Sequence, residues 1–464
     1  MVCVACIIQI GTRRVATTFT SSARAKRTMT TSINQAVEAI RSFATSARTT
    51  SLKDGPLTDV PQAPKDPMFG LSAAYRADTF DRKVDLGVGA YRDENAKPWV
   101  LPVVKKAKEI LNQNPELNHE YQPIAGFPEY TEASQRLVLG NNSKAILEQR
   151  ARTVQTLSGT GALSLAARFL AAYYPDSSAK RVWVSDPPYV NHLPIMQNAG
   201  LETGIYPYYA SQTKSLNFTA WLDKLRQIPA ESIILLHACA HNPTGVDPTH
   251  RQWEQIAEVM KEKRHTPFFD SAYQGFASGN LDNDAWTIRH FVEQDFDTVL
   301  IAQSYAKNFG LYGERAGALH VVTLSPDLSQ RILSQLTRLQ RVDISTPPAF
   351  GARIVATVLN DPRLFAEWQD DLRTMSGRII EMRQALRAQI ERLGTPGGWR
   401  HVTDQSGMFC YSGLSKEQVG VLREAYHVYL TGDGRVSVSG LNGSNVGYVA
   451  QAVKEVVSGG GAKL

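Results

Sequence analysis

The chain has few cysteines and no long hydrophobic run. Its four cysteines are Cys3, Cys6, Cys239 and Cys410, and the spacing Cys3-x-x-Cys6 has no second pair of metal ligands beside it. This scarcity argues against a disulfide-stabilised secreted domain and against a zinc module, so we predict reduced thiols, an intracellular compartment and no metal site. No apolar stretch reaches the ~20 residues that a membrane-spanning helix requires. The sequence therefore predicts no membrane partner.

Acidic residues are scarce at the N-terminus, where Glu38 is the only acid in residues 1–52. The same region is rich in Arg, Ser, Thr and Ala, a composition typical of mitochondrial transit peptides. The C-terminus carries a competing address, because Ala462-Lys463-Leu464 is one small residue away from a peroxisomal signal. Localisation is therefore open between the cytoplasm, with the peroxisome as a variant, and the mitochondrial matrix. The net charge of +6 is spread along the chain and does not indicate a nucleic-acid partner.

From about residue 100 short apolar runs alternate with helical patterns, and the run at 232–237 is continuous and branched, as in a central parallel strand. This alternation predicts an α/β fold, a mostly parallel sheet with helices on both faces, plus a smaller α+β domain built from N- and C-terminal segments. The predicted regions are a disordered or targeting leader at 1–52, an N-terminal arm and part of the small domain at 53–97, a large domain at 98–374, and the C-terminal part of the small domain at 375–464.

Helix signals are clear at two further places. Asp247 precedes Pro248, a combination that marks a helix start, so we predict a helix over 247–263 that is capped by Asp247. Residues 364–393 hold a helical pattern without an internal proline that is longer than most globular helices. We predict that this long helix connects the large domain to the C-terminal half-domain.

A lysine, Lys307, follows the apolar run at 298–301, which predicts a buried strand. The turn around the lysine contains Gly310 and Gly313, and Arg315 follows shortly after them. A lysine in a partly desolvated pocket beside other cations loses pKa and becomes nucleophilic toward carbonyl groups. Arg315 is a permanent cation suited to a phosphate. Taken alone, Lys307 would be interpreted as a surface charge. Together with Arg315 and the phosphate signal at Ser158-Gly159-Thr160, it indicates amine chemistry beside a phosphate.

A second phosphate signal is Ser158-Gly159-Thr160, which lies between a predicted strand and a predicted helix. Backbone N–H groups at a helix start, together with the two hydroxyls, form a phosphate-binding cup. A dinucleotide-binding loop is the competing interpretation, because Gly159-x-Gly161 begins like G-x-G-x-x-G. Ser164 occupies the position where that motif has Gly or Ala, and no lysine follows as in a P-loop. An NAD-dependent oxidoreductase is therefore disfavoured.

Three polar residues end or follow other predicted strands. Asp270 ends the apolar run at 267–270, where a carboxylate can be held ionised by a cationic partner such as a protonated pyridine nitrogen. Tyr273 and Asn242 can hydrogen-bond a ring oxygen. Taken alone, Asp270 would be typical of a helix or turn cap, and the segment around Asn242 would be typical of a turn. In an open α/β sheet, ligands bind outside the carboxyl ends of the strands. These groups together with Lys307 indicate covalently bound pyridoxal 5'-phosphate (PLP).

From about Pro67 to about Val456 the chain resembles the class I PLP-dependent aminotransferases of fold type I, in particular their aspartate aminotransferase branch. The resemblance implies exchange of L-aspartate and 2-oxoglutarate for oxaloacetate and L-glutamate by a ping-pong mechanism, and it favours the cytosolic branch. The segments that carry it are Leu86-Gly-Val-Gly-Ala-Tyr-Arg92, Asn118-His-Glu-Tyr121, Ser158-Gly-Thr-Gly-Ala-Leu163, His237-Ala-Cys-Ala-His-Asn-Pro-Thr-Gly245, Phe269-Asp-Ser-Ala-Tyr-Gln-Gly-Phe276 and the Lys307 segment.

The resemblance also implies roles for individual residues. Lys307 would bind the cofactor and then move the proton at the substrate Cα, and Asp270 would pair with the pyridine nitrogen with His192 behind it. Tyr273 and Asn242 would hold the ring oxygen, and Tyr273 is the third expected catalytic residue. The expected cofactor-binding residues are Ser158, Gly159, Thr160, Tyr189, His192, Asn242, Asp270, Tyr273, Ser304, Lys307, Arg315 and, from the second subunit, Tyr121. The expected substrate-binding residues are Gly89, Asn242, Arg341 and Arg435.

Two arginines would select a dicarboxylic amino or keto acid. Arg435 would hold the α-carboxylate, and Arg341 of the partner subunit would hold the side-chain carboxylate. Gly89 would lie beside the substrate, where its backbone can bond the α-carboxylate without a side chain intruding. Because Tyr121 and Arg341 would act across the subunit boundary, the resemblance implies a homodimer with shared active sites.

The chain departs from the family pattern near the substrate. Tyr189 stands where the family often has Trp, and it would stack on the cofactor with less area. Ile344 replaces an aromatic residue, and an ion pair between Asp343 and Arg341 would weaken dicarboxylate binding. These changes leave an aromatic or broad-specificity aminotransferase as the alternative activity. A non-catalytic binding protein with the same fold is the alternative from another class, and the retained Lys307 argues against it.

Overall fold

The structure is a computed structural model that describes residue 57 and residues 59–64, 66–175 and 180–459. The predicted leader at 1–52 and the C-terminal tripeptide at 462–464 lie outside the described residues. The chain divides into two units, Met1–Lys65 and Asp66–Leu464. The described residues of the first unit form no helix or strand, and every element below belongs to the second unit. The predicted domain boundaries after residues 97 and 374 stay a prediction.

A seven-stranded sheet lies at the centre of the second unit. The strands of this unit are β1 Val84–Asp85, β2 Ala151–Leu157, β3 Arg181–Asp186, β4 Glu202–Pro207, β5 Tyr209–Ala210, β6 Ser215–Leu216, β7 Ile233–His237, β8 Thr266–Ser271, β9 Thr298–Ser304, β10 Ala316–Thr323, β11 Phe409–Tyr411, β12 Val428–Tyr429 and β13 Arg435–Ser437. The large sheet has the order β2-β10-β9-β8-β7-β3-β4. β10 is antiparallel to β2 and β9, and the other neighbouring pairs are parallel. The predicted mostly parallel sheet is confirmed.

Helices cover both faces of this sheet. The helices are α1 Pro67–Ala77, α2 Pro102–Gln113, α3 Pro128–Leu139, α4 Lys144–Leu147, α5 Ser158–Tyr173, α6 His192–Asn198, α7 Phe218–Gln227, α8 His250–Glu262, α9 Leu281–Glu293, α10 Pro326–Asp343, α11 Phe350–Asn360, α12 Pro362–Arg392, α13 His401–Asp404, α14 Lys416–Tyr426 and α15 Val446–Val457. Apolar side chains of α5 and α10 pack on one face, and those of α7, α8 and α9 pack on the other. Because both faces are covered, every residue of β7 and β10 is buried.

The N-terminal and C-terminal parts of the second unit meet beside the large sheet. β1 pairs in parallel with β12, and β11 pairs antiparallel with β13. The long helix α12 has 31 residues, which confirms the helix predicted over 364–393. Within the described residues, no helix combines the length and the apolar character needed to cross a bilayer. The pairing of β1 with β12 brings the glycine-rich segment after β1 close to the strand that carries Arg435.

The predicted N-cap of α8 is wrong. The helix starts at His250, and Thr249 is its N-cap: the Thr249 hydroxyl accepts the N–H of Gln252 at 3.3 Å, and the Gln252 side chain accepts the N–H of Thr249 at 2.9 Å. This capping box satisfies the helix start without Asp247. The Asp247 carboxylate faces the preceding turn instead, where it accepts backbone N–H groups of Ala240 and His241.

Candidate active site

Lys307 lies just beyond the end of β9 and is partly buried. Its Nζ donates a hydrogen bond to the carbonyl oxygen of Gly89 at 2.5 Å, and it lies 4.9 Å from the centre of the Tyr312 ring. Burial, and to a smaller extent the nearby guanidinium groups of Arg435 and Arg315, lower the pKa of the Lys307 amine to about 8. A substantial neutral fraction near neutral pH makes this amine a nucleophile and a proton acceptor.

Lys307 faces a cavity of about 350 Å³ at the carboxyl ends of the parallel strands. The cavity brings together residues that are far apart in the sequence, which is the position expected for a ligand in an open α/β sheet. The predicted site residues that line it are Gly89, Ser158, Gly159, Thr160, Tyr189, Asn242, Asp270, Tyr273, Ser304, Lys307, Arg315 and Arg435. His192 lies behind Asp270, and Tyr121 and Arg341 do not line the cavity.

The first turn of α5 forms one end of the cavity. β2 passes directly into the helix at Ser158, whose φ of 60° turns the chain sharply. The Ser158 hydroxyl lies 2.8 Å from the Ser304 hydroxyl, and a Cβ on Gly159 would lie 3.1 Å from the Ser304 Cβ. The backbone of Ser158 is also bonded to the carbonyl oxygen of Arg315 at 3.0 Å. The start of α5, the residues Ser158 and Ser304 with their hydroxyls, and Arg315 line the same cavity, and this combination suits a phosphate.

Asp270 is a buried carboxylate with a histidine behind it. Its Oδ2 accepts the Nε2–H of His192 at 2.9 Å, and His192 is fully buried at the start of α6. Burial raises the pKa of Asp270, but the hydrogen bond and charge of His192 outweigh this effect and the pKa is lowered overall. Asp270 therefore stays ionised in the cavity, where it can stabilise a cation.

His237 is a cavity residue to which the sequence assigned no role. Its ring centre lies 5.0 Å from that of His192, and its Nε2 has no hydrogen-bond partner among the described residues. Burial, followed by the charge of His192, lowers the pKa of His237 to about 3, so the ring is neutral. Because strand β7 is apolar, only the position of His237 at its carboxyl end marks this residue in the sequence.

Arg435 is the buried cation of the cavity, with 8% of its surface exposed. Its Nη1 donates to Asn242 Oδ1 at 3.3 Å, its Nη2 donates to the Gly87 carbonyl at 3.1 Å, and its Cζ lies 4.1 Å from the centre of the Phe409 ring. Among the described residues no carboxylate forms an ion pair with it, and its Nε has no hydrogen-bond partner. A desolvated guanidinium without a counter-ion favours binding of an anion.

Tyr273 and Tyr189 complete the cavity wall. Burial raises the pKa of the Tyr273 hydroxyl, and it also raises that of Tyr189, so both phenols are protonated donors. The Tyr189 hydroxyl accepts a hydrogen bond from the side-chain amide of Asn191 at 3.2 Å. The sequence did not single out Asn191, Phe409 or Met68, which also line the cavity. No motif marked them, because each lies in the cavity only through tertiary contacts.

The family of this chain follows from a sequence match that spans most of it. The family described as "Aminotransferase class I and II" matches residues 81–453. The chain belongs to this aminotransferase family. Cytoplasmic aspartate aminotransferase of Gallus gallus is 48% identical to it over 402 residues, which cover 86% of this chain and 97% of the relative.

Solved aminotransferase structures agree with this assignment. The aspartate aminotransferase from the cytoplasm of Saccharomyces cerevisiae has a TM-score of 0.84 at 45% identity and covers 87% of this chain and 98% of its own. An aromatic-amino-acid aminotransferase from Burkholderia pseudomallei, covalently bound to pyridoxal phosphate, has a TM-score of 0.84 at 40% identity and covers 87% of this chain and 100% of its own. This aminotransferase is therefore a PLP-dependent enzyme of fold type I that uses amino and keto acids.

The residues of the cavity fit this cofactor. The start of α5 with Ser304 and Arg315 provides a cradle for a phosphate. The buried, ionised Asp270 suits a pyridinium nitrogen, and the lowered pKa of Lys307 suits bonding to an aldehyde.

Two predicted residues of the aminotransferase lie on its surface. Tyr121 is 81% exposed, and Arg341, near the end of α10, is exposed and donates to the Ser345 hydroxyl. The ion pair that the sequence suggested between Asp343 and Arg341 does not form, because Asp343 pairs with Arg168 at 2.7 Å. The Arg341 guanidinium is therefore not neutralised by Asp343.

Proposed function

We propose that this aminotransferase interconverts L-aspartate and 2-oxoglutarate with oxaloacetate and L-glutamate. The observation that carries the proposal is Arg435, a buried guanidinium at the cavity wall without a carboxylate partner, which suits the α-carboxylate of an amino acid. The names of the relatives from Gallus gallus and Saccharomyces cerevisiae support aspartate as the substrate. The amino acid and the keto acid in this exchange both carry carboxylates, and the cationic residues of the cavity suit such substrates.

The proposed cofactor contacts follow the cavity from end to end. We assign the phosphate to the start of α5, with Ser158, Gly159, Thr160, Ser304 and Arg315 around it. The pyridine nitrogen is assigned to Asp270, which His192 keeps in place and ionised, and the ring oxygen to Tyr273 and Asn242. The face of the ring is assigned to Tyr189. The assignments of Asp270, Tyr273, Asn242 and Tyr189 rest on the burial and positions of their side chains in one cavity.

When bound, PLP supplies an electron sink for the carbon that loses its proton. The remaining steps belong to this chain. Arg435 and the backbone of Gly89 hold the α-carboxylate, so that the Cα–H bond has one orientation in the cavity. The Lys307 amine would take up the proton from the substrate Cα and later give it up again. Its lowered pKa suits this task, because an amine with a pKa near the working pH both accepts and donates protons readily.

The proposed enzyme is a homodimer with shared active sites. Tyr121 and Arg341 are exposed and lie outside their own cavity, and Val342 beside Arg341 is 84% exposed. The side chains of Tyr121 and Arg341 are therefore accessible to a second protomer. We assign Tyr121 to the phosphate and Arg341 to the side-chain carboxylate in the cavity of the partner protomer. Members of this family are typically dimeric.

A substrate panel tests the proposal. Purified protein loaded with PLP is expected to give a higher kcat/KM for L-aspartate than for L-phenylalanine with 2-oxoglutarate as acceptor. The second candidate is an aromatic or broad-specificity aminotransferase, which the Burkholderia pseudomallei relative and the tyrosine at position 189 favour. A preference for phenylalanine would establish that candidate and refute the first. No turnover with any amino acid would instead support the non-catalytic alternative.

The proposed location is the cytoplasm. The cytoplasmic relatives of Gallus gallus and Saccharomyces cerevisiae support it. The peroxisome and the mitochondrial matrix are the alternatives that the two ends of the sequence suggest. Fluorescent fusions at either end, each masking one signal, distinguish them: a cytoplasmic signal from both fusions is expected, and an organellar signal from one of them identifies the active address.

A further inference from the structure

A partly buried carboxylate, Asp247, joins two segments that are far apart in the sequence. Its Oδ2 accepts the N–H of Ala240 at 2.7 Å, and its Oδ1 accepts the N–H of His241 at 3.0 Å. The hydroxyl of Ser406, 159 residues away, donates to the same Oδ2 at 2.7 Å. Asp247 therefore ties the turn at 240–247 to the segment before β11.

The two segments also touch backbone to backbone. The N–H of Ser406 donates to the carbonyl oxygen of Gly245 at 2.6 Å. A Cβ on Gly245 would lie 2.6 Å from the carbonyl oxygen of Phe409, and a Cβ on Gly407 would lie 2.5 Å from the Cβ of Ala240. Both glycines have positive φ, +66° and +71°. Side chains at these positions would force the segments apart, so the close approach depends on glycine.

Arg383 of α12 also holds the segment before β11. Its guanidinium is buried and donates to the carbonyl oxygens of Val402 at 2.8 Å, Gly407 at 2.9 Å and Phe409 at 2.5 Å. The segment is therefore fixed by both Arg383 and Asp247, and Arg383 also donates to the carbonyl oxygen of Ser406 at 3.1 Å. Little freedom remains for the backbone of Phe409 to shift.

Each of the two joined segments contributes one contact to Arg435. Asn242, in the turn at 240–247, accepts from Arg435 Nη1 at 3.3 Å. The Phe409 ring lies under the same guanidinium at 4.1 Å. A planar guanidinium held by an amide at its edge and an aromatic ring at its face has one orientation. Asp247 and Ser406 do not themselves line the cavity.

We propose that Asp247 and Ser406 are positioning residues for substrate recognition. Their hydrogen bond fixes Asn242 and Phe409 relative to each other and thereby aims the guanidinium of Arg435 at the substrate α-carboxylate. This inference rests on the proposed role of Arg435. A two-point contact between guanidinium and carboxylate requires alignment, so a rotation of Arg435 weakens substrate binding more than it slows the chemistry.

Two variants remove the bond in different ways. Ser406→Ala deletes the hydroxyl and leaves the backbone contact with Gly245, and Asp247→Asn replaces one acceptor oxygen with an amide group of the same shape. We expect both to raise the KM for L-aspartate and the Kd for succinate about tenfold, with kcat within about threefold of the wild type. The Kd for succinate is measured by titration calorimetry on the PLP-loaded protein. Ser406→Thr keeps the hydroxyl and is expected to restore both constants.

Ser329→Ala is the matched control. Ser329 is a fully buried serine of α10 whose hydroxyl bonds the carbonyl oxygens of Gln149 at 3.1 Å and Pro326 at 2.8 Å, and it does not line the cavity. Its loss is expected to lower the melting temperature without changing the succinate Kd. Unchanged Kd and KM in both Ser406→Ala and Asp247→Asn would overturn the positioning role. Wild-type protein that neither bound succinate nor transaminated any amino acid would refute the proposed function instead.

Discussion

The Nζ of Lys307 donates a hydrogen bond of 2.5 Å to the carbonyl oxygen of Gly89, 218 residues earlier in the chain. A side chain on Gly89 would reach to 3.0 Å from the Phe409 ring and 3.8 Å from this Nζ. The glycine therefore makes room for the Phe409 ring, whereas the distance to the amine is an ordinary contact. The hydrogen bond holds the free lysine at the edge of the cavity, beside the proposed α-carboxylate site.

Replacement of Lys307 by Ala is expected to reduce turnover by several orders of magnitude, because no other lysine among the described residues lines the cavity to carry the proton. PLP is expected to remain bound without a covalent link, because Ser158, Ser304 and Arg315 are unchanged. Borohydride reduction followed by peptide mass spectrometry measures the link. Labelling of residue 307 in the wild type and its absence in the variant are expected. An unlabelled Lys307 in the wild type would contradict the scheme.

The reactivity of Lys307 in the apoprotein is expected to rise with pH through about 8, the pKa to which burial and the two arginines lower it. The neutral amine is the reactive form, and its fraction increases about tenfold between pH ~7 and pH ~9 for a group with this pKa. Acetylation with a limiting reagent, quantified by peptide mass spectrometry, gives the profile, with the exposed Lys108 as an internal reference. A profile that rises only above pH ~10 would show that the amine is not perturbed.

Asp270→Asn is expected to lower kcat/KM by about a thousandfold or more, because the neutral amide cannot keep a pyridine nitrogen protonated. The exposed Asp223→Asn is the control, since it removes a carboxylate that only pairs with Arg226 on the surface of α7. Transamination assays and the absorption spectrum of the bound cofactor measure both variants. Equal activity of the two would mean that Asp270 does not contact the ring.

Arg341→Asp is expected to reduce activity on L-aspartate at least a hundredfold more than activity on L-phenylalanine, because the new carboxylate repels only the second carboxylate of a dicarboxylic substrate. Arg338→Asp, on the same helix, is the charge-matched control. Values of kcat/KM for both amino acids decide the result. Equal losses on the two substrates would refute the assigned role of Arg341.

Mixed dimers test whether the active sites are shared. If Lys307 and Arg341 of one site come from different protomers, a dimer of one Lys307→Ala chain and one Arg341→Asp chain contains one intact site. Refolding the two inactive variants together at equal amounts is then expected to restore about a quarter of the wild-type activity on L-aspartate. Each variant refolded alone is the control. No restoration in mixtures that form dimers would show that both residues act within one chain.

The sequence predicted the local framework of the site well. Lys307 after β9, Asp270 in β8 and Ser158 at the start of α5 all lie at strand ends, where apolar runs pass into turns. Such boundaries are local, because an apolar run and its flanking residues lie next to each other in the chain. The carboxyl ends of parallel strands meet at one edge, so the sequence also predicted that these residues lie together.

The wrong prediction that Asp247 caps α8 came from local sequence pattern, as did the correct predictions of the strand ends. A carboxylate before a proline is typical of a helix start, and local pattern alone predicted a cap there. In the structure Thr249 caps the helix, whereas the Asp247 carboxylate accepts hydrogen bonds from the preceding turn and from the Ser406 hydroxyl. The competing partner is 159 residues away, where a local pattern carries no signal.

The amino-acid sequence by itself determined the chemistry of this protein: the types of residues at the strand ends, and with them the family and its cofactor. Only the tertiary structure decided the contact of Lys307 with Gly89, the setting of Arg435 between Asn242 and Phe409, and the partner of Asp343. The physical reason is distance along the chain. Strand ends follow from neighbouring residues, whereas these contacts require the whole core to pack before the partners meet.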